Sequence, residues 1–285
     1  MVTVAMISPG AMGSALGRGY VEAGARVVAT VAGRSPRTQT LAHGLELLPS
    51  LREVVAVADV VISVVPPGQA LKVAASVRDA ASAAGTSPLV VDLNAVSPAT
   101  MARISEGLGG LALVDGSISG GPPDQDGTRL YLSGPRAPEI AVLGHPRLDV
   151  QVLPGPVGAA SAVKMSTASV YKGLSAVLLQ AVVSAEASGV LDVVLEDLAD
   201  SFPDLIAGLA PRLASSASKA HRYVAEMQEI ASTQEMAGLP PELFRAMAIV
   251  WERVAATPLG RTTPEQAKGV LHLGEIIGGL STPGT

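Results

Sequence analysis

"VTVAMISPGAMGSALGRGYVEAG" (residues 2–24) decides how the rest of the chain is read. Residues 2–8 form a nearly unbroken apolar run, the pattern of a strand covered on both faces. Pro9, Gly10 and Gly13 then mark a turn, and the helical pattern behind them ends at Gly24. Strand, glycine turn and helix in direct succession open a βα unit. Glycines at 10 and 13 let backbone amides at the helix N-terminus come close to an anion. A full G-x-G-x-x-G would carry a third glycine at position 8, where this chain has Ser8. In this context the turn predicts dinucleotide binding through Ser8, Pro9, Gly10, Ala11, Met12 and Gly13.

The alternation continues. Strand-like runs at 26–32, 59–66, 88–94, 112–119 and 128–134 are separated by helical patterns at 51–58, 70–85 and 97–110. The last begins with Ser97 as N-cap and Pro98 at the first helical position. Such alternation predicts βαβ units and a parallel sheet. Beyond residues 150–158 no strand pattern remains. Residues 158–189 read as one long helix, and 192–200, 202–218, 219–237, 241–256 and 264–279 read as further helices. The fold class expected is α/β: a Rossmann-type dinucleotide-binding domain over residues 1–154, then an all-α domain over 155–285.

Composition limits what the chain can do. Hydrophobic residues make up 48% of the 285 and charged residues 16%, with a net charge of −5. Without a basic block, nucleic-acid binding by a charged face is not expected. With no cysteine there is no disulfide or thiolate metal site. His43, His145, His221 and His272 lack ligand spacing, so no metal is expected. The N-terminus lacks a basic leader, and no apolar run reaches the ~20 residues of a membrane helix. A cytoplasmic protein away from membranes is the expectation.

The second strand indicates which dinucleotide. An acidic residue at its end would accept from the ribose 2′-hydroxyl of NAD. Here no Asp or Glu lies between Glu22 and Glu46. The turn reads "AGRSPRT", and Gly33, Arg34, Ser35 and Arg37 suit a 2′-phosphate held by charge-assisted hydrogen bonds. NADP(H) is therefore the expected cofactor.

Three further stretches complete a pattern: "VVPPGQA" (64–70), "DGSISGGPPDQDGT" (115–128) and "GPVGAASAVK" (155–164). Together with the glycine turn they resemble the β-hydroxyacid dehydrogenases related to 6-phosphogluconate dehydrogenase. "KAHRYVAEMQEIASTQEMAGLPPELF" (219–244) is similar to a less-characterised branch with its own C-terminal domain. The resemblance implies cofactor contacts from Val65, Pro66, Pro67 and Asn94, where Asn94 replaces the family's usual serine. It implies substrate binding by Ser119, Gly120 and Gly121. It makes Lys164, six residues after Gly158, the catalytic acid/base. The family's asparagine four residues after that lysine is Ala168 here. Its polar role would pass to Thr167 or Tyr171, the latter on the same helical face as Lys164. Lys219, His221 and Arg222 are candidates for meeting an anionic substrate.

The chemistry agrees with that assignment. Carbonyl reduction needs a proton on oxygen, and a lysine buried among small residues has its pKa lowered towards neutrality. The function expected is hydride transfer between NADP(H) and a small hydroxy acid or its oxo form. Two alternatives stand beside it. An imine reductase of the same superfamily usually replaces the lysine; a non-catalytic NADP-binding regulator would need neither Ser119 nor Lys164. The apolar helix 158–189 in an aromatic-poor domain predicts a homodimer in which the long helices pack together.

Overall fold

The computed structural model describes residues 1–124, 127–270 and 272–280. Gln125 and Asp126, within the stretch quoted for the substrate loop, lie outside the described residues. The chain divides into two compact units, Met1–Met165 and Ser166–Thr285.

The first unit is an α/β sandwich. β1 (Thr3–Ile7), β2 (Arg26–Ala29), β3 (Glu46–Leu47), β4 (Val60–Ser63), β5 (Leu89–Asp92) and β6 (Leu113–Ser119) are joined by α1 (Ala11–Glu22), α2 (Pro36–Leu41), α3 (Leu51–Ala56), α4 (Ala70–Ala84) and α5 (Pro98–Gly107). β7 (Thr128–Ser133), α6 (Ala137–Ala141) and β8 (Leu148–Val152) follow. The strand order is β3-β2-β1-β4-β5-β6-β7-β8. β1 to β6 run parallel; β1, β4 and β5 are wholly buried in the centre, which is why they read as continuous apolar runs, whereas the short edge strand β3 is exposed. Ser97 caps α5 by accepting from the Thr100 amide at 3.1 Å, with Pro98 at the first helical position.

The sheet is not parallel throughout. β7 runs antiparallel to β6, because loop 120–127 is shorter than the dozen or more residues a parallel crossover needs. β8 pairs parallel to β7 and closes the edge. Its sequence LDVQV is half polar and mostly exposed, so it lacks the apolar run that marks a buried strand. Arg129 and Asp149, directly opposite across this edge, form an ion pair of 2.8 Å.

Helices cover both faces. One core holds Val4, Met6, Leu16 and Tyr20 with Val91 and Leu132; the other holds Ala5, Val61, Val77 and Val90 with Met101 and Ile104. Under α1, His145 packs edge-on to Tyr20 with ring centroids 5.2 Å apart. A side chain at Gly19 would collide with the His145 ring, so this contact requires glycine.

Two buried carboxylates face each other at the register pair Asp92–Asp115. Asp115 is saturated with donors. It accepts from the Ser133 hydroxyl on β7 at 2.9 Å, the Gly158 amide at 2.9 Å, and the amide and hydroxyl of Ser161 at 3.0 and 2.7 Å. These bonds bring the start of α7 (Ala159–Ala187) onto the sheet, and the division between the units falls inside that helix. Asp92 has fewer donors, the Asn94 amide at 2.9 Å and the Asn94 side chain at 2.8 Å. Burial, with a further contribution from the Asp115 charge, pushes its pKa up to about 7.

The second unit is helical: the remainder of α7, then α8 (Leu191–Ser201), α9 (Pro203–Ile206), α10 (Leu209–Ala217), α11 (Ala220–Met236), α12 (Glu242–Ala255), α13 (Pro264–Ala267) and α14 (Leu273–Leu280). The stretch 202–218 is two helices rather than one, broken where Gly208 adopts a left-handed φ of 72°. The stretch 264–279 is likewise divided. Trp251 is fully buried and packs edge-on against Tyr223, with centroids 5.1 Å apart. Lys172 of α7 pairs with Glu226 of α11 and lies 5.0 Å from the Tyr223 ring centroid. α7 is long and apolar enough, by length and composition, to cross a membrane, and 44% of its most apolar stretch is buried in the fold.

Two outcomes follow for the carboxylates. Asp115→Ala strands two amides and two hydroxyls at once and should cost about 3–5 kcal/mol of stability, read as a lowered midpoint in thermal denaturation. Asp92 has a folded pKa above its unfolded value of 3.8, so its favourable contribution is complete below that value and is lost as pH rises through about 7. The melting temperature of Asp92→Asn minus that of the parent protein should therefore increase from pH 5 to pH 8; a flat difference contradicts this.

Candidate functional site

The carboxyl ends of the parallel strands share one edge of the sheet, where ligands of open α/β sheets bind. β1 ends at Ile7, and Ser8 takes a left-handed φ of 67°, the backbone shape a glycine would adopt there. The missing first glycine is thus replaced in sequence while its conformation is kept, at a cost of about 1–2 kcal/mol. The Gly10 amide donates to the Ser8 carbonyl at 2.8 Å, and the Ser14 hydroxyl to the Pro9 carbonyl at 2.6 Å. A side chain on Gly13 would begin 2.6 Å from the Ser8 carbonyl oxygen, so only glycine lets α1 approach the turn this closely. At Gly10 the opposite holds, with nothing within 4 Å of where a side chain would start. α1 has no side-chain cap and no acid in its first turn. The first-turn amides of Ala11, Met12 and Gly13 thus have no side-chain cap, and with open space beside Gly10 the turn fits a dinucleotide pyrophosphate.

Beside the turn lies a cavity of about 520 Å³, lined by Ser8, Thr30, Arg34, Gln69 and Lys72 among others. Arg34 follows Gly33, which takes a φ of 68°. Ser35 is placed differently: its hydroxyl caps α2 by accepting from the Thr38 amide at 3.3 Å. Arg37 lies on exposed α2, and neither it nor Ser35 lines the cavity.

After β4, Val65 is buried, Pro66 is exposed, and Pro67 opens a short 3₁₀ turn. Asn94, expected to meet the cofactor, is 2% exposed. Its carbonyl oxygen accepts from the Val65 amide at 2.6 Å, and its amide group donates to Ser63 at 3.1 Å and to Asp92. Asn94 thus ties the loop after β4 to that after β5.

At the end of β6, Ser119 is half-buried and Gly120 and Gly121 are exposed. Gly120 has a φ of 130°, and a side chain there would begin 2.9 Å from the Thr128 hydroxyl, which itself donates to the Gly121 carbonyl at 2.9 Å. Lys164 reaches this strand end, its Nζ donating to the Ile118 carbonyl at 2.6 Å. The ammonium is therefore fixed beside Ser119. It projects from the helix that Asp115 docks four residues earlier on the same strand. Lys164 is thus held at the sheet's carboxyl edge by the carbonyl of the residue before Ser119.

Thr167, Tyr171, His221 and Arg222 belong to the second unit. Thr167 is exposed, and Tyr171 is 71% exposed. His221 and Arg222 are exposed on the first turn of α11. Lys219 donates to the Ser215 hydroxyl at 2.9 Å; burial, then the charges of Arg222 and Lys268, hold its pKa below the usual lysine value. Burial and then Arg222 also lower the pKa of His221. Among the described residues no group of three His, Asp or Glu side chains could hold a metal ion.

The sequence reading did not single out Lys72 or the anchoring work of Asp92 and Asp115. The aspartates did leave a signal, since each is an acid inside an apolar strand. Lys72 left none, because its relation to Arg34 is made by the crossover.

Comparison with known proteins agrees with the geometry. Residues 3–137 match the NAD binding domain of 6-phosphogluconate dehydrogenase, and residues 185–254 match a domain of unknown function, DUF1932. An uncharacterised 28.5 kDa protein of Methanothermus fervidus is 30% identical over 173 residues, which span 60% of this chain and 66%, just under two thirds, of that relative. A conserved protein of unknown function, described as structurally similar to 3-hydroxyacid dehydrogenases, superposes with a TM-score of 0.67 at 28% identity, covering 92% of this chain and all of the other. The 3-hydroxyisobutyrate dehydrogenase of Mycobacterium tuberculosis shares the fold, with a TM-score of 0.66 at 19% identity over 94% of this chain and 98% of its own. Residues 3–137 thus carry an NAD-binding domain similar to that of 6-phosphogluconate dehydrogenase, followed by a helical C-terminal region, in a chain that shares the fold of 3-hydroxyacid dehydrogenase-like proteins.

Proposed function

We propose that this protein is an NADP(H)-dependent oxidoreductase of the cytoplasm that interconverts a small hydroxy acid and its oxo form, with Lys164 as general acid/base. The observation that carries the reading is the Lys164 ammonium, held 2.6 Å from the Ile118 carbonyl and next to Ser119. A bound reduced nicotinamide supplies a hydride to the substrate carbon. The chain's own residues do the rest. The amides of α1 hold the pyrophosphate. Ser119 and the Gly120 and Gly121 amides orient the substrate. Lys164 delivers the proton to the oxygen as it becomes a hydroxyl, and recovers it in the reverse direction. Thr167, Tyr171, His221 and Arg222 are proposed to contribute to binding an anionic substrate. Arg34 in the cavity, with no acid at the end of β2, supports the 2′-phosphorylated cofactor.

Retention of Lys164 and Ser119 is what favours C=O chemistry over imine reduction or a purely regulatory role. An iminium substrate arrives already charged and would not need the lysine proton.

NADPH oxidation across 2- and 3-oxo acids, semialdehydes and cyclic imines identifies the substrate class. On the best substrate, Lys164→Ala should reduce turnover by roughly 10²–10⁴-fold with NADPH affinity unchanged. Near-full activity of that variant would reject the mechanism. Ser119→Ala should raise KM more than it lowers kcat.

We also propose a homodimer. α7 and its neighbours expose Val170, Val177, Val183 and Ile249 to solvent, an apolar surface suited to a second copy. Light scattering at micromolar concentration should give twice the chain mass of 28.7 kDa; a monomer rejects this part.

A further inference from the structure

The cavity beside the glycine turn is lined by two cations and no acid. Arg34 enters it from the turn after β2. Lys72 enters it from the first turn of α4, a separate element reached through the β4 crossover. The rest of the polar lining is uncharged, with hydroxyls from Ser8, Thr30 and Ser50. Neither cation has an acidic partner among the described residues, and the neighbouring Glu53 carboxylate instead accepts from Ser50 at 3.0 Å. Two like charges sharing a cavity of about 520 Å³ repel each other unless an anion lies between them. Backbone amides of α1 already provide for the pyrophosphate at the other side of Ser8. The cavity's pair of cations therefore answers to a different group, of dianionic phosphomonoester type.

We propose that Lys72 is a second determinant of dinucleotide choice, placing its ammonium against the ribose 2′-phosphate opposite the Arg34 guanidinium. The assignment rests on the NADP(H) reading above. The planar guanidinium fixes orientation through paired hydrogen bonds, and the ammonium adds a compact charge on a flexible stem. Lys72 is exposed on its helix, so its replacement leaves the fold intact.

Calorimetric titration of the full chain with adenosine 2′,5′-bisphosphate and with 5′-AMP tests this without turnover. The two probes differ only in the 2′-phosphate. Lys72→Ala should weaken the bisphosphate about tenfold, the loss of one charge-assisted contact, and leave 5′-AMP unchanged. Lys72→Arg should retain most of the affinity. Melting curves of parent and variants should coincide. If the parent prefers the bisphosphate and Arg34→Ala abolishes that preference while Lys72→Ala keeps it, the assignment of Lys72 is wrong and the NADP(H) reading stands. Equal weakening of both probes by Lys72→Ala also overturns it, by showing no selectivity for the 2′ position. If the parent binds the two probes alike, the NADP(H) reading fails, and the role of Lys72 with it.

Discussion

The Asp115 carboxylate holds the candidate site together. Alone on β6 it would be a charge buried in an apolar strand, which costs several kcal/mol. Four donors from β7 and from the start of α7 offset that cost. The same bonds fix where the long helix begins. Gly158 supplies one of the donors from a left-handed φ of 107°, a shape that suits glycine. With the helix start set, Lys164 falls within reach of the Ile118 carbonyl at the end of the strand that carries Asp115. A carboxylate with no solvent contact therefore positions the Lys164 side chain.

A second polar knot works beside it. Asn94 joins Asp92, Ser63 and the Val65 amide, so the loops after β4 and β5 are held to one another. Asp92 is the less satisfied of the two aspartates and carries the raised pKa, a consequence of burial and of its charged neighbour. The Asn94 side chain reaches Ser63, Asp92 and the Val65 amide at once, through the carbonyl oxygen and the amide nitrogen at its end. Asn94 thus has a structural role in this chain.

Much of this was legible in the sequence, and the gaps have physical causes. The glycine turn, the Ser97–Pro98 helix start and the long α7 are local patterns, set by backbone dihedrals and caps. Lys164 stood out as a charge inside a surface of small residues. β8 did not, because an exposed edge strand needs no apolar run and exists through its pairing with β7. The antiparallel turn at β7 follows from loop length rather than from the strand's own residues. Asp92 and Asp115 were visible as residues, but their coupling requires strands brought into register. Ser35, read as a phosphate ligand, caps α2; short polar residues before a proline serve both purposes equally well in sequence. Lys72 and Arg34 converge only once a crossover is folded.

In the proposed mechanism the Lys164 amine, held at the Ile118 carbonyl, moves the proton. Chemical rescue measures this most directly. Added to the Lys164→Ala protein with saturating NADPH and the best oxo substrate, small primary amines should restore turnover in proportion to their concentration, with rates that follow amine pKa across a series of similar size. Failure of every small amine to restore turnover in a folded, NADPH-binding Lys164→Ala protein would contradict proton transfer by Lys164.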